Sequence, residues 1–235
     1  MKETDPKNFL VFSAHPDDLD FGCAGAIAKL TDDGHSVVYC VITNGEKGTH
    51  KVDETREQMV EMREKEQKAA AASVGVHEVI FLGQTDGTLE HTMDVRKKVV
   101  RVIRQVKPHI VVSQDPGNHT FDNFYRFHRD HRVTAEIVFD AIYPAAGSKA
   151  FFPELAEEEN ILPHQIEEVW FYATDKPNHF INITETIEKK MEALRCHESQ
   201  FHDFEELAEK VYQNARMHGK KKNMGHAEGF RRISF

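Results

Sequence analysis

The sequence predicts an α/β fold in which a mostly parallel sheet is covered by helices on both faces. Short apolar runs alternate with longer stretches of helical periodicity, which is the order that βαβ units produce. The runs are apolar throughout, as expected of strands buried on both sides. With 235 residues and 40% hydrophobic content, the chain is long enough for one sizeable core. We therefore expect a single Rossmann-like domain over residues 1–235.

The first unit sets the pattern. Phe9 to Ala14 is an apolar run of strand length, and Gly25 to Thr31 follows it with helical character. The turn-forming residues 32–34, Asp-Asp-Gly, predict the end of that helix. The apolar run SVVYCVIT at 36–43 predicts the second strand.

The middle of the chain repeats this alternation. A helix is predicted over residues 54–73 and is followed by the strand EVIFLG at 78–83. Residues 94–106 predict another helix, which Pro108 ends because proline lacks the backbone N–H that a helix requires. HIVVSQ at 109–114 predicts the fourth strand.

The remaining elements are a loop, a strand and three helices. Residues 115–129 are irregular, and a loop of this length in a compact domain is usually functional. Helices are predicted over 133–142, 187–197 and 203–218, and a strand over 168–174.

Charge and cysteine content narrow the class of partner. The net charge of −9 argues against general affinity for nucleic acid or anionic membranes, and no apolar stretch approaches the roughly 18 residues of a membrane span. Three cysteines without CxxC spacing favour neither a disulfide framework nor a thiolate zinc site. The polar N-terminus lacks an apolar signal core. We expect a cytoplasmic protein that acts on a small molecule.

Two clusters of histidine and aspartate follow predicted strands. His15 and Asp18 come directly after the first strand and offer an imidazole and a carboxylate three residues apart. His128 and His131 follow the fourth strand and are spaced to lie on one helical face. Either cluster taken singly has an ordinary alternative, a turn or a solvated surface, because the chain has fifteen histidines. Ligands of parallel α/β sheets bind at the carboxyl ends of strands, where both clusters fall.

Together the clusters predict a catalytic metal site. His15, Asp18 and His131 would hold zinc and leave one position open to water. Such a metal makes hydroxide available near neutral pH and polarises a carbonyl. Asp17 is then suited to act as general base, and His128 to stabilise the oxyanion of a tetrahedral intermediate.

These residues resemble a known family. AHPDDLDFGCAG at 14–25, TNGEKG at 43–48 and HRDHR at 128–132 resemble the motifs of the LmbE-like, or PIG-L, zinc-dependent N-deacetylases. The resemblance runs nearly end to end. Further stretches that carry it are 62–76, 81–89, 190–201 and 227–230.

The resemblance implies the same roles for the metal ligands His15, Asp18 and His131, for the base Asp17 and for the histidine His128. It also implies that Arg63 lies near the substrate pocket, where the alternative is a surface ion pair with Glu64 or Glu66. Asp130, between the two histidines, is expected to orient a metal-bound imidazole. The implied metal is one zinc ion per subunit, with iron as the alternative, and a homo-oligomer is compatible with the family.

The implied reaction is hydrolysis of the acetamide of an N-acetylglucosamine-containing small molecule, such as a sugar–malate or chitobiose-type conjugate. The chain departs from the family motifs at two places. The usual acid after the two aspartates is displaced to Asp20, for which we predict no role, and Arg129 replaces a proline in the second motif.

Two other classes of function remain open at this point. Two histidines and one carboxylate also form the site of non-haem iron oxygenases, although the alternation of helices and strands disfavours an all-β barrel. A non-catalytic nucleotide- or sugar-binding module would use FGCAG at 21–25 as a glycine-rich turn, but the chain has neither GxGxxG nor GxxxxGK[ST].

Overall fold

Strands and helices alternate along most of the described chain. A computed structural model describes residues 5–48, 55–118, 121, 127–201 and 203–235. The strands are β1 (Asn8–Ser13), β2 (Ser36–Thr43), β3 (Glu78–Gln84), β4 (Ile110–Gln114), β5 (Glu168–Tyr172), β6 (His179–Asn182) and β7 (Ala227–Ser234). The helices are α1 (Asp18–Asp32), α2 (Arg56–Ser73), α3 (Met93–Val106), α4 (Arg129–Asp140), α5 (Pro153–Glu157), α6 (Ile187–Arg195) and α7 (Phe204–Lys220), and a π-helical turn, Ala141–Ala146, follows α4.

The seven strands form one sheet in the order β3-β2-β1-β4-β5-β7-β6. The first five positions are parallel, whereas β7 pairs antiparallel with β5 and β6 pairs antiparallel with β7. The chain runs outward from β1 to β3 and then returns to place β4 on the other side of β1. The crevice of such a sheet opens at this reversal, beyond the carboxyl ends of β1 and β4.

Alternate residues of β1 face two separate cores. Phe9 and Val11 pack in a cluster with residues of α1, α2 and α6, and Leu10 and Phe12 pack with residues of α3 and α4. All four side chains are buried. The prediction of a single α/β domain with a mostly parallel sheet and helices on both faces is confirmed.

The start of α1 was predicted wrongly. The helix begins at Asp18, not at Gly25, so FGCAG lies inside a helix and is not a glycine-rich turn. The glycines are there because the helix packs closely against its neighbours: a Cβ on Gly22 would lie 2.4 Å from the Tyr172 ring, and one on Gly25 would lie 2.8 Å from Ile183. Glycine inside this helix therefore marks close packing, not a break.

Other differences lie at helix and sheet ends. α4 begins at Arg129 rather than Val133, and β6 and β7 were not predicted. Of the loop predicted after β4, residues 119, 120 and 122–126 lie outside the described residues. No helix in the described ranges is both long enough and apolar enough to cross a membrane.

Candidate metal centre and active site

The connection from β1 to α1 folds back on itself and brings His15 and Asp18 together. The backbone N–H of His15 donates to Oδ2 of Asp18 at 2.8 Å. Between them, Asp17 has φ 85° and ψ −33°, and its carbonyl accepts the N–H groups of the first turn of α1. Because of this tight turn, Nδ1 of His15 lies 3.3 Å from Oδ2 of Asp18.

The start of α4 supplies the second histidine. His128 is the N-cap residue, and its Nδ1 accepts from the backbone N–H of Asp130 at 3.3 Å. One turn into the helix, Nε2 of His131 lies 2.9 Å from Oδ1 of Asp18 and 3.2 Å from Nδ1 of His15. The structure thus brings together all three residues that the sequence assigned to the metal, from the ends of the neighbouring strands β1 and β4.

This donor set fits a divalent cation. Two imidazole nitrogens and a carboxylate are zinc ligands, and ligands about 2.1 Å from a tetrahedral ion lie about 3.4 Å from one another. The observed separations among His15, Asp18 and His131 are 2.9 to 3.3 Å. A small outward displacement of these side chains, by a few tenths of an ångström, would accommodate the ion. His128 is also close, with its ring centroid 4.8 Å from that of His15 and 5.3 Å from that of His131.

The ionisable groups of this cluster shift one another's pKa values. Burial lowers the pKa of His15, but the carboxylates of Asp130 and Asp18 outweigh burial and raise the pKa well above its usual value. Burial raises the pKa of Asp18, but His131 and His15 outweigh it and hold that pKa well below the usual range. The positive charge of the His15 ring and the negative charge of the Asp18 carboxylate therefore stabilise each other.

The far side of the His15 ring faces two more carboxylates. Its Nε2 lies 3.2 Å from Oδ1 of Asp86 and 3.2 Å from Oδ2 of Asp130. Asp130 is anchored by the backbone N–H groups of Gly87 at 2.6 Å and Leu89 at 3.2 Å. A carboxylate behind a metal-bound histidine fixes the ring orientation and makes the other nitrogen a better ligand.

Asp86 was missed from the sequence. It lies just after β3, and its Oδ2 accepts from the backbone N–H of Lys47 at 3.0 Å. Burial raises its pKa, but the hydrogen bond from His15 and the positive charge of that ring bring the pKa down to about 2. The signal was present, since Asp86 follows a strand end within FLGQTDGTL at 81–89.

The side chain of Asp17, which is 15% exposed, lies next to a cation. Nη2 of Arg63 donates to Oδ2 of Asp17 at 2.8 Å and to the carbonyl of Pro16 at 2.6 Å, and Nη1 donates to the carbonyl of Gly45 at 3.4 Å. Burial raises the pKa of Asp17, an effect that the guanidinium of Arg63 opposes without cancelling. A carboxyl group in this setting holds a proton more readily than an exposed aspartate does.

Arg63 therefore lies inside the site and not on the helix surface. Only 3% of Arg63 is exposed. The surface alternative is not observed among the described residues, where Glu64 pairs with Lys68 and Glu66 accepts from Ser199. Both glutamates are thus engaged elsewhere.

An open cleft lies beside His131. It is shallow and open to solvent, and it is lined by Gln114, Asp115, Asn118, Phe127, Arg132 and Ala173. Burial and the neighbouring His15 and His131 lower the pKa of His128, so this ring is neutral at neutral pH.

Known proteins are similar to this chain in sequence. The family model for PIG-L, GlcNAc-PI de-N-acetylase, matches residues 10–142. The diacetylchitobiose deacetylase of Thermococcus kodakarensis is 37% identical over 232 residues, which cover 97% of this chain and 83% of that protein. A Bacillus anthracis protein named "Probable N-acetyl-alpha-D-glucosaminyl L-malate deacetylase 2" is 31% identical over 202 residues. The match covers 83% of this chain and 82% of that protein.

A solved structure gives the same result in three dimensions. The N,N'-diacetylchitobiose deacetylase from Pyrococcus horikoshii, complexed with its inhibitor MPG, superposes with a TM-score of 0.90 at 29% identity. The match covers 98% of this chain and 85% of that one. By both sequence and fold, this chain belongs to the PIG-L (LmbE-like) family of de-N-acetylases.

Proposed function

We propose that this protein is a metal-dependent N-deacetylase that hydrolyses the acetamide of an N-acetylglucosamine-containing small molecule to acetate and a free amine. The observation that carries the proposal is the meeting of His15, Asp18 and His131 at the β1/β4 crevice, next to the half-buried carboxyl group of Asp17. The names of the relatives support the acetamide and the sugar: two act on N-acetylglucosamine derivatives.

The metal would be held by His15 through Nδ1, by His131 through Nε2 and by the carboxylate of Asp18. These atoms face one another, whereas Nε2 of His15 faces Asp86 and Asp130. When bound, zinc, or iron as the alternative, supplies an activated water and polarises the acetamide carbonyl. Asp130, and Asp86 beside it, fix the ring of His15 from behind.

Asp17 is the proposed general base. Arg63 holds its Oδ2, which leaves Oδ1 to take the proton of the attacking water and to return it to the leaving amine. Burial raises the pKa of Asp17 above that of an exposed aspartate, which favours the step in which it accepts the proton. Arg63 thus orients the carboxyl group of Asp17. The edge of the Arg63 guanidinium is also the proposed contact for the sugar.

His128 is the proposed oxyanion-stabilising residue. Its ring lies against His15 and His131 at the mouth of the site, so a substrate carbonyl bound there would approach it. A neutral imidazole with one N–H donates to developing negative charge without being repelled by the metal. The cleft beside His131 is the proposed place for the remainder of the substrate, which is a small molecule and neither nucleic acid nor membrane.

Two further expectations remain part of the proposal. A homo-oligomer is compatible with the family resemblance. The cytoplasm is the proposed location, since Cys23, Cys40 and Cys196 are free thiols and a reducing compartment keeps them so.

The test is a substrate panel. Zinc-loaded protein is incubated with diacetylchitobiose and with N-acetylglucosaminyl malate, and acetate and free amine are quantified with and without oxygen. Equal amounts of both products, independent of oxygen, are expected. Turnover that requires oxygen would instead indicate the iron-oxygenase chemistry, and nucleotide binding without turnover or stoichiometric metal would indicate a binding module.

A further inference from the structure

A buried row of polar side chains lies behind Asp17. Asp20, Gln67 and His197 are all 0% exposed, and they come from α1, α2 and the segment just after α6. Oε1 of Gln67 accepts the backbone N–H of Asp17 at 2.8 Å, and Nε2 of Gln67 donates to Oδ2 of Asp20 at 2.9 Å. The same Oδ2 lies 2.8 Å from Nε2 of His197.

The backbone of Asp17 needs such support. Its φ of 85° and ψ of −33° fall in a region that non-glycine residues rarely occupy and in which the backbone is strained. Such a conformation persists only when surrounding contacts enforce it. The bond from Asp17 N–H to Gln67 fixes the peptide plane, and the bonds of Arg63 to Pro16 and to the Asp17 carboxylate fix the two sides of the turn.

The direction of each hydrogen bond follows from its neighbour. The amide of Gln67 can satisfy both contacts in one orientation only, with its oxygen toward the Asp17 N–H and its NH₂ group toward the Asp20 carboxylate. A carboxylate at 2.8 Å requires His197 to carry a proton on Nε2. The histidine thus fixes Asp20, Asp20 fixes Gln67, and Gln67 fixes Asp17.

We infer that His197, Asp20 and Gln67 are positioning residues that hold Asp17 in its strained, reactive conformation through this hydrogen-bonded row. The inference rests on the proposed role of Asp17 as general base. It assigns a task to Asp20, for which the sequence predicted none, and to the segment CHESQ at 196–200, which the proposed reaction does not otherwise use. A displacement of about 1 Å at a reacting group costs about 10²-fold in rate, so such a row acts on turnover.

The test compares two substitutions of His197. His197→Leu removes the contact with Asp20, whereas His197→Gln can restore a donor at the position of Nε2. For zinc-loaded protein we expect His197→Leu to lower kcat by about 10- to 100-fold, with KM within about twofold and stoichiometric zinc retained. His197→Gln is expected to recover most of the lost kcat.

A matched control separates positioning from stability. Thr186 is also buried and donates from Oγ1 to the carbonyl of Gly25 at 2.7 Å, so it likewise links the α6 region to α1, and among the described residues it has no hydrogen bond to the row. Thr186→Val should lower Tm and leave kcat unchanged, because it removes one buried hydrogen bond without altering shape. A loss of kcat in Thr186→Val equal to that in His197→Leu would overturn the inference.

Other outcomes are equally decisive. Unchanged kcat in His197→Leu, or equal losses in the Leu and Gln variants, would contradict positioning through Asp20. If His197→Leu does not fold, Gln67→Met removes the middle of the row, and wild-type kcat in that variant would overturn the inference. Asp17→Asn identifies the level of failure: if it is inactive while His197→Leu is normal, only the positioning row is wrong, and if it is fully active, the base assignment itself is wrong.

Discussion

Oδ1 of Asp18 lies 2.9 Å from Nε2 of His131, although one residue follows β1 and the other follows β4. These strands are neighbours in the sheet because β2 and β3 are added on one side of β1 and β4 is added on the other. The two side chains therefore meet by topology and not by any local motif. A metal bound here joins the two halves of the sheet.

Replacing His131 with alanine should release the metal. The variant loses one of three proposed protein ligands, and two are too few for a stable zinc site. We expect less than one zinc ion per chain after dialysis, measured by elemental analysis, with folding retained by circular dichroism. His91→Ala is the matched control, because His91 lies away from the site beside Arg96 and Asp140 and should leave zinc content unchanged. Stoichiometric zinc in His131→Ala would remove His131 from the ligand set.

Replacing Asp17 with asparagine should separate metal binding from turnover. The amide preserves the size of the side chain but cannot accept the proton of water, so kcat is expected to fall by about 10²- to 10⁴-fold. Zinc content should remain stoichiometric, because Asp17 is not among the proposed ligands. The measurement is acetate release under saturating substrate together with zinc analysis. A kcat equal to that of the wild type would contradict the assignment of the base.

The proposed metal ligands could be identified from the sequence because they share one feature of position. His15, Asp18 and His131 follow strand ends, and parallel sheets gather their strand ends at one edge. Asp86 obeys the same rule and lies 3.2 Å from His15, so the rule would have found it too. It was overlooked because a single aspartate beside glycine is most simply interpreted as a turn residue.

Contacts made by residues that do not follow strand ends were beyond that rule. Arg63, Gln67 and His197 reach Asp17 or Asp20 only because α2 and the end of α6 pack against α1 at a particular distance. The periodicity of the sequence does not predict the distance between these packed elements. The edge strands β6 and β7 were missed for a different reason: β6 has only four residues, and the FRRIS part of β7 alternates in exposure and carries two arginines.

The close approach of α1 to its neighbours predicts a packing defect. Gly22→Ala would place a Cβ 2.4 Å from the ring of Tyr172, a fully packed side chain whose hydroxyl donates to the carbonyl of Phe12. Overpacking costs about 1–3 kcal/mol, which exceeds the gain of about 1 kcal/mol from the better helix propensity of alanine. Urea unfolding should therefore give a lower free energy of unfolding. Lys65→Ala, on the exposed side of α2, should change it by less than about 0.5 kcal/mol. Unchanged or increased stability in Gly22→Ala would show that the helix can move away.

The His197–Asp20 contact predicts a pH-dependent stability. Burial lowers the pKa of His197, but the hydrogen bond and negative charge of Asp20 outweigh burial and raise it above the usual value. Asp17 acts in the same direction as Asp20, and the guanidinium of Arg63 opposes them. A raised folded-state pKa stabilises the fold when the histidine is protonated, so the contribution is complete below about pH 6.5 and is lost as pH rises through the folded-state value.

The corresponding measurement is the difference in unfolding free energy between the wild type and His197→Gln, followed by urea titration at several pH values with zinc saturating for both proteins. The difference should be largest at acidic pH, where His197 is protonated in the folded wild type. It should shrink as pH rises, because His197 then loses its proton and the wild type loses the stabilisation that the protonated ring provides. Glutamine does not titrate, and the zinc site is common to both proteins, so its own pH dependence cancels. A difference that grew with rising pH would mean that His197 is buried as a neutral ring, and that the carboxylate of Asp20 does not hold its proton.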